Sequence, residues 1–265
     1  MSAITFSKFD SACRGSTPPV LIDVRRRDAF ESAAEMACGA LRRDPESVDT
    51  WASTLPSAST VVVYCIHGHQ VSQSVAAALR ERGIDAYYLE GGLEEGWKRN
   101  AGELDPKPAN AATRWVTRER PKIDRVACPW LVSRFVDAEA EFLYVPTPTV
   151  RDTARATGAV PYDIPDVAFT HEGPLCSFDA FLKHYRLADP ALQQLARIVR
   201  GADTAELDLA PEAPGLLAVS LGLSRLFSDD HEMLDHGMIV YDALYAWCRH
   251  GQDEVHTWNP AAYSA

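Results

Sequence analysis

Thr60-Val61-Val62-Val63-Tyr64-Cys65-Ile66-His67-Gly68-His69-Gln70 is the stretch on which the fold of the first half turns. Its β-branched start favours pleated backbone, and the run is too apolar for an edge strand and too short for a free-standing helix. A buried strand is expected to end at Cys65. After a short polar loop, Ser72 to Arg82 reads as a helix with Val75, Ala76 and Leu79 on one side and Gly83 as its C-cap. Cys65 is thereby placed in a strand, loop, helix corner, where backbone N–H groups can curl into an anion-binding nest around the sulfur. A thiolate held there is a nucleophile toward sulfane sulfur, and the same amides would stabilise the persulfide that results. Gly68 lets the loop close tightly.

Working outward, Pro19 to Val24 and Ala86 to Leu89 read as two further strands, Gly91-Gly92 as a turn suited to positive φ, and Leu93 to Lys98 as the start of another helix. This alternation predicts a parallel sheet with helices on both faces. The Asn100 to Thr113 stretch is small and polar with two prolines, the composition of a linker. The expected organisation is one domain over 1–105, a linker over 106–112 and a second domain over 113–265. In the second, Glu141 to Val145 reads as a strand. Helices are expected from Cys128 to Asp137 with Pro129 in the first turn, then Phe178 to Tyr185, Pro190 to Arg200, Pro214 to Phe227 and Asp229 to Arg249. The second half is therefore expected to be a helix-dominated α+β domain.

A length of 265 residues favours two domains, and 46% hydrophobic with 24% charged residues is ordinary for a folded chain. With 37 acidic against 26 basic residues the formal charge is -11, which disfavours nucleic acid as a partner. The local exception runs from Lys107 to Arg134, where Lys107, Arg114, Arg118, Arg120, Lys122, Arg125 and Arg134 face only Glu119 and Asp124. The cysteines at 13, 38, 65, 128, 176 and 248 form no CxxC pair, so reduced thiols are expected. No apolar run approaches the ~20 residues of a membrane helix, so no membrane partner is expected and the cytoplasm is the default compartment.

Leu21-Ile22-Asp23-Val24-Arg25 with Asp28 and Phe30, the Val62 to Gly68 motif, and Leu89-Glu90-Gly91-Gly92 with Trp97 together resemble a single-domain rhodanese. The resemblance covers about the first hundred residues. It implies an α/β rhodanese fold, a persulfide on Cys65, and Ile66, His67, Gly68, His69 and Gln70 as the rim of the sulfur site, with Asp23 and Arg25 as structural support behind it. The sequence departs from the family's pattern at Glu35-Met36-Ala37-Cys38, ahead of Gly39-Ala40, and at Gln70 and Val71, where a loop arginine is frequent. Weak binding of the thiosulfate dianion is the expected consequence. The related phosphatase and arsenate-reductase chemistry is disfavoured, since it needs a positive clamp on an oxyanion where Val71 and Ser72 stand. His67 and His69 can donate protons or steer an anion, or be solvated loop residues.

Arg118 to Asp137, Phe169 to Phe178 and Gly237 to Tyr245 are similar to the C-terminal domain family of the bacterial chromate-resistance protein ChrB, which implies a context of chromate or oxyanion resistance. Arg118, Arg120, Lys122 and Arg125, with Arg134, suit an oxyanion pocket, or else pair with Glu119, Asp124 and Asp137 as a solvated face. His171, Glu232 and His236 are the candidate metal ligands, the last two four residues apart on one helix face. Asp229, Asp230 and Glu232 would in any case complement a helix dipole. Cys128 and Cys176 are either sulfur acceptors or, by preference, buried structural thiols. The expected function is sulfur transfer from thiosulfate or a persulfide donor, through Cys65, to a thiol or cyanide, needing no cofactor. The alternatives are a redox or chromate sensor and, less favoured, a DNA-binding regulator.

Overall fold

The structure is a computed structural model that describes residues 2–15, 18–55, 60–107 and 113–254. The first half is built on β1 (Ala3–Ile4), β2 (Val20–Asp23), β4 (Leu41–Arg42), β5 (Val61–Tyr64) and β6 (Ala86–Leu89), with β3 (Glu35–Ala37) outside this sheet. Strand order is β1-β6-β5-β2-β4, every pair is parallel, and β5 is the central strand. Val61, Val62, Val63 and Tyr64 are all fully buried, as a doubly covered parallel strand requires.

Alternate residues serve opposite faces. Val20, Ile22, Val61 and Val63 pack with Val75, Ala76 and Leu79 of α4 (Gln70–Glu81). Leu21, Val62 and Tyr64 pack with Phe9 of α1 (Phe6–Cys13) and with Leu93 and Trp97. Burying each such aliphatic side chain contributes about 1.5–3 kcal/mol. The short helices α2 (Arg27–Glu31) and α3 (Val48–Trp51) complete the connections. Gly83 has φ +79° just after α4, and Gly91 and Gly92 both have positive φ, as expected from their positions.

The linker reading is corrected at its start. Leu104–Pro106 is a strand, β7, paired antiparallel with β3, and Lys107 N donates to the Ala34 carbonyl at 2.9 Å. Backbone pairing outside the main sheet leaves no periodic side-chain signal in so short a piece. Residues 108–112 of that linker lie outside the described residues.

The second half is helix-dominated, with one small parallel sheet of order β10-β8-β9. Its elements are β8 (Arg114–Arg118), α5 (Asp124–Leu131), β9 (Glu141–Val145), α6 (Val150–Thr157) and β10 (Val160–Pro161), then α7 (Ser177–His184), α8 (Pro190–Asp203), α9 (Ala213–Leu226) and α10 (Asp230–Ala246). The four long helices fall close to their expected places. β8, with an arginine at either end, is hidden in the sequence by its own charges. The helix expected from Cys128 begins earlier, at Asp124, so Pro129 lies in its interior rather than its first turn. A proline there removes the bond to the carbonyl four residues back. That carbonyl, of Arg125, instead accepts from the Tyr144 hydroxyl at 3.2 Å.

The halves are packed together. One hydrophobic cluster runs from Val20, Leu41 and Val63 through Trp115, Trp130 and Phe178. Arg43 Nη1 donates to the Val136 carbonyl at 2.5 Å and Nη2 to that of Phe135 at 2.6 Å. Arg186 Nη1 donates to the Cys38 carbonyl at 2.8 Å. Among the described residues no helix is long and apolar enough to cross a membrane.

Candidate functional site

Cys65 follows β5 and is 7% exposed. Its Sγ lies 3.2 Å from Oγ of the fully buried Ser72, in the first turn of α4, and Ser72 Oγ also bonds the His69 carbonyl at 3.3 Å. Three of the loop carbonyls are occupied elsewhere. Cys65 O accepts from Leu93 N at 2.9 Å, Ile66 O from Glu94 N at 3.0 Å, and Gly68 O from Gln73 Nε2 at 3.0 Å. In a trans peptide the N–H points opposite to the carbonyl. The amides of Ile66 and His67 therefore face away from Leu93 and Glu94, which leaves them free for an anion beside the loop.

Two glycines make this close approach possible. Gly68 has φ +70°, and a Cβ there would meet the Leu89 carbonyl at 2.6 Å. Gly92 has φ +57°, and its Cβ would fall on Cys65 O and Gly68 N. No L side chain fits either position without moving the loop.

Behind the strand, Arg25 and Asp23 are buried together, with Nε to Oδ2 at 2.9 Å and Nη2 to Oδ2 at 2.6 Å. Tyr64 donates its hydroxyl to the same Asp23 oxygen at 2.8 Å. Arg25 Nη2 reaches the Glu35 carbonyl and Arg42 Nη1 the Asp23 carbonyl. Asp23 and Arg25 thus brace the residue before Cys65 and have no place in the loop itself.

Around the rim, His67 Nδ1 pairs with Glu95 Oε2 at 2.9 Å, and this bond holds the Glu95 carboxyl below its usual range. His69 is exposed, and its ring lies 5.9 Å from that of His67. Gln70 Nε2 donates to Ser74 Oγ at 2.9 Å, along the helix. A groove of about 280 Å³ runs past Gln70, Val71 and Ser74 to Arg26 and Glu46. Arg26 is exposed and is the basic residue along this groove. The sequence reading missed it, although it directly follows the Asp23-Val24-Arg25 motif.

The basic residues of the second half do not gather into one pocket. Arg118 Nη2 and Arg125 Nε both pair with Asp163 Oδ2, at 2.5 and 3.2 Å. Arg120 turns the other way and caps the end of α9, donating to the carbonyls of Ser224, Phe227 and Ser228. Arg134 is bidentate on Asp242. The ion pairs of Arg118, Arg125 and Arg134 reach acids far away in the sequence rather than Glu119, Asp124 or Asp137.

The three candidate metal ligands are likewise separated. His236 stacks on Phe227 with ring centroids 4.2 Å apart, and Asp229 caps α10 by accepting from His231 N and Glu232 N. Among the described residues, neither Glu232 nor His236 belongs to a cluster of three metal-ligand side chains. His171 does. Its Nε2 lies 3.2 Å from Asp203 Oδ2, 3.4 Å from Asp124 Oδ2 and 3.5 Å from Asp163 Oδ1. Burial, then the charges of Asp124 and Asp163, pushes Asp203 up to about 7, while the hydrogen bond to Asp124 pushes His171 up to about 8. A second cluster, Cys38, Asp105 and His184, sits where the halves meet, with His184 Nε2 3.1 Å from Asp105 Oδ2. Cys128 and Cys176 are buried, and desolvation followed by the Asp124 charge holds both thiols far above their ordinary range. They fit the structural-thiol reading.

Comparison with known proteins follows the same division. The profile of the ChrB C-terminal domain matches residues 115–248, and that of the rhodanese-like domain matches 9–100. The protein ChrB of Cupriavidus metallidurans is 32% identical over 177 residues, covering 65% of this chain and 52% of that protein. This chain spans about half the length of that relative. The thiosulfate sulfurtransferase GlpE of Actinobacillus succinogenes is 39% identical over 80 residues, 30% of this chain and 69% of that one. Among solved structures, a Pseudomonas aeruginosa thiosulfate sulfurtransferase covers 60% of this chain and 43% of its own at TM-score 0.39 and 14% identity. A rhodanese-like domain protein of Staphylococcus aureus covers 40% and 99% at TM-score 0.33 and 23% identity.

Proposed function

Because the chain belongs to the ChrB C-terminal domain family and carries a rhodanese-like domain ahead of it, we propose that it is a sulfurtransferase in which Cys65 carries sulfane sulfur as a persulfide, in the context of chromate or other oxyanion resistance. The observation that carries this reading is the setting of Cys65: a nearly buried sulfur at the N-terminus of α4, 3.2 Å from the Ser72 hydroxyl, in a loop three of whose carbonyls are bonded elsewhere. A helix N-terminus and free amides favour a thiolate and, after transfer, the persulfide anion.

In the loading step the Cys65 thiolate attacks the outer sulfur of thiosulfate. The new S–S bond forms as the old one breaks, and sulfite leaves with the electron pair. In the second step a thiolate or cyanide attacks the outer sulfur of the persulfide, and the thiolate of Cys65 is regenerated. The chain needs no cofactor for either step. The loop from Cys65 to Val71 has no arginine of its own to hold the departing sulfite.

Intact mass after incubation with thiosulfate tests the reading, with Cys65→Ser alongside. One added sulfur on the unmutated protein alone is the expected result. If neither thiosulfate nor a persulfide donor adds sulfur to Cys65, sulfur transfer is wrong. The reading that then takes over is a redox or chromate sensor, favoured by the similarity to ChrB over 177 residues.

A further inference from the structure

We propose that Asp124, Asp163, His171 and Asp203 form a binding site for one divalent first-row cation of the Mn²⁺ or Fe²⁺ class, inside the second domain. The site is independent of sulfur chemistry at Cys65.

Four separate segments supply it: Asp124 opens α5, Asp163 follows β10, His171 lies in the loop before α7, and Asp203 closes α8. Three carboxylate oxygens converge on one imidazole nitrogen at 3.2 to 3.5 Å. Hydrogen bonding does not account for that, because a ring nitrogen carries at most one proton and can serve one acceptor well. Coordination does. Ligand atoms held about 2.0–2.2 Å from a common cation at tetrahedral or octahedral angles lie roughly 3 to 3.5 Å from each other. The ligand atoms of Asp124, Asp163 and His171 all fall within 4.8 Å of one another and form the core of the site, while Asp203 stands outside that mutual set and meets it through His171 at 3.2 Å.

The charges around the cluster are arranged to aim it. Arg118 and Arg125 hold Asp163 by its Oδ2, from the side away from His171, and Ser177 Oγ bonds its Oδ1 at 3.0 Å. Ser177 N donates to Asp124 Oδ2 at 3.2 Å. Among the described residues, the His171 imidazole is the one basic group in ion-pair distance of Asp124 and Asp203, two carboxylates that are 2% and 15% exposed at the side chain. Carboxylates so buried are expected to be paired or to coordinate a metal. Three oxygens with one nitrogen suit Mn²⁺ or Fe²⁺ better than the thiolate-rich sets that select zinc.

A second observation points the same way. Tyr162, next to Asp163, is 1% exposed, and its hydroxyl makes no well-aligned hydrogen bond, with only the Tyr144 hydroxyl within reach among the described residues. It approaches Tyr144, whose hydroxyl is committed to the Arg125 carbonyl, and it lies close enough to Asp124 to feel that charge. Thr117, opposite Tyr144 on the same sheet face, is fully buried and equally unpartnered. Orphan hydroxyls in a buried polar interior mark room for a polar ligand or its water. His171 is 41% exposed and also lines a cleft of about 290 Å³ with Thr170, Glu172 and Lys183, which gives an ion a route in.

The test is titration of the EDTA-stripped full chain with Mn²⁺ alone, following the free-ion EPR signal, with pulsed EPR on the bound ion. The expected result is one saturable site per chain with ¹⁴N coupling from a single imidazole. His171→Gln and Asp203→Asn should each weaken it tenfold or more, while His184→Gln and Glu232→Gln bind as the parent does. The nitrogen coupling is read on the unmutated protein, so the test survives a variant that folds poorly. Absence of saturable binding by Mn²⁺ and Fe²⁺, a bound ion without nitrogen coupling, or loss of affinity in His184→Gln or Glu232→Gln instead overturns the assignment.

Discussion

The hydroxyl oxygen of Ser72 sits 3.2 Å from Sγ of Cys65, the one side-chain oxygen within hydrogen-bond reach of that sulfur among the described residues. The Ser72 hydroxyl, whose one proton is given to the His69 carbonyl at 3.3 Å, can turn that proton to an anionic sulfur, and such a donor contributes about 1.5–3 kcal/mol, roughly a tenfold or larger change in rate where the anion is the reacting form. Ser72→Ala should therefore slow sulfur loading from thiosulfate by about tenfold. Stopped-flow loading rates check this, and an unchanged rate would show that the backbone amides alone carry the charge.

Gly92→Ala should slow loading by about tenfold or more. The added Cβ would fall on Cys65 O and Gly68 N at a φ of +57°, so the loop must shift as a unit. Strain of this kind costs about 1–3 kcal/mol. Because Gly92 lies on the Cys65 side of the first sheet, the Mn²⁺ titration of the second domain should not change. Retention of the full loading rate would mean that the loop tolerates displacement and that its geometry is not what activates Cys65.

The β-rich core of the first half and the loop at Cys65 are legible in the sequence because both are local. Strand, cysteine, glycine and helix follow one another within about twenty residues, and the glycines that pack on the loop, Gly91 and Gly92, announce themselves by type. The second site is not legible for the opposite reason. Asp124, Asp163 and Asp203 are spread along the chain, and each looks like an ordinary surface acid until α5, β10 and α8 bring them to His171. The histidine spacing on α10 drew attention instead, yet His236 spends its ring on Phe227. Charge pairing misled in the same way, since Arg118, Arg125 and Arg134 all reach past their neighbours to Asp163 and Asp242.

Tyr144 and Pro129 should be energetically coupled. Pro129 cannot donate to the Arg125 carbonyl, and the Tyr144 hydroxyl does so in its place at 3.2 Å. Tyr144→Phe then leaves that carbonyl bare and should cost about 1–2 kcal/mol. In a Pro129→Ala background the restored helix N–H serves the carbonyl, so the same substitution should cost close to nothing. Urea denaturation of the four proteins gives the cycle, and additive effects would show that the two groups do not share the carbonyl.

At the junction of the halves, Arg43 places one guanidinium on two backbone carbonyls, those of Phe135 and Val136. Arg43→Ala removes both donors from a partly buried position, and each carbonyl left unsatisfied costs up to about 1–3 kcal/mol. Arg43→Lys offers no planar fork and should recover at most half of the loss. Denaturation with separate probes should show Arg43→Ala unfolding the two halves at different denaturant concentrations while the parent unfolds them together. Coincident transitions in the variant would place the coupling in the shared hydrophobic cluster rather than in this arginine.

Asp242 accepts from Trp130 Nε1 at 2.8 Å and from both forks of Arg134, and the Arg134 bond above all holds its carboxyl below the ordinary range. A carboxyl whose pKa is depressed by folding stabilises the fold above its unfolded pKa, and that contribution disappears as the pH falls through the folded value. The pair is 43–45% exposed at its side chains, so its worth is about 0.2–1 kcal/mol after solvent screening. Asp242→Asn keeps an acceptor for the fully buried Trp130 indole and removes only the charge. Its melting temperature should lie about 1–4 °C below the parent's at pH 7. The gap should close below about pH 4, where the parent's carboxyl takes up its proton. A gap that stays constant from pH 7 to pH 3 would assign the loss to packing around Trp130 and not to the ion pair with Arg134.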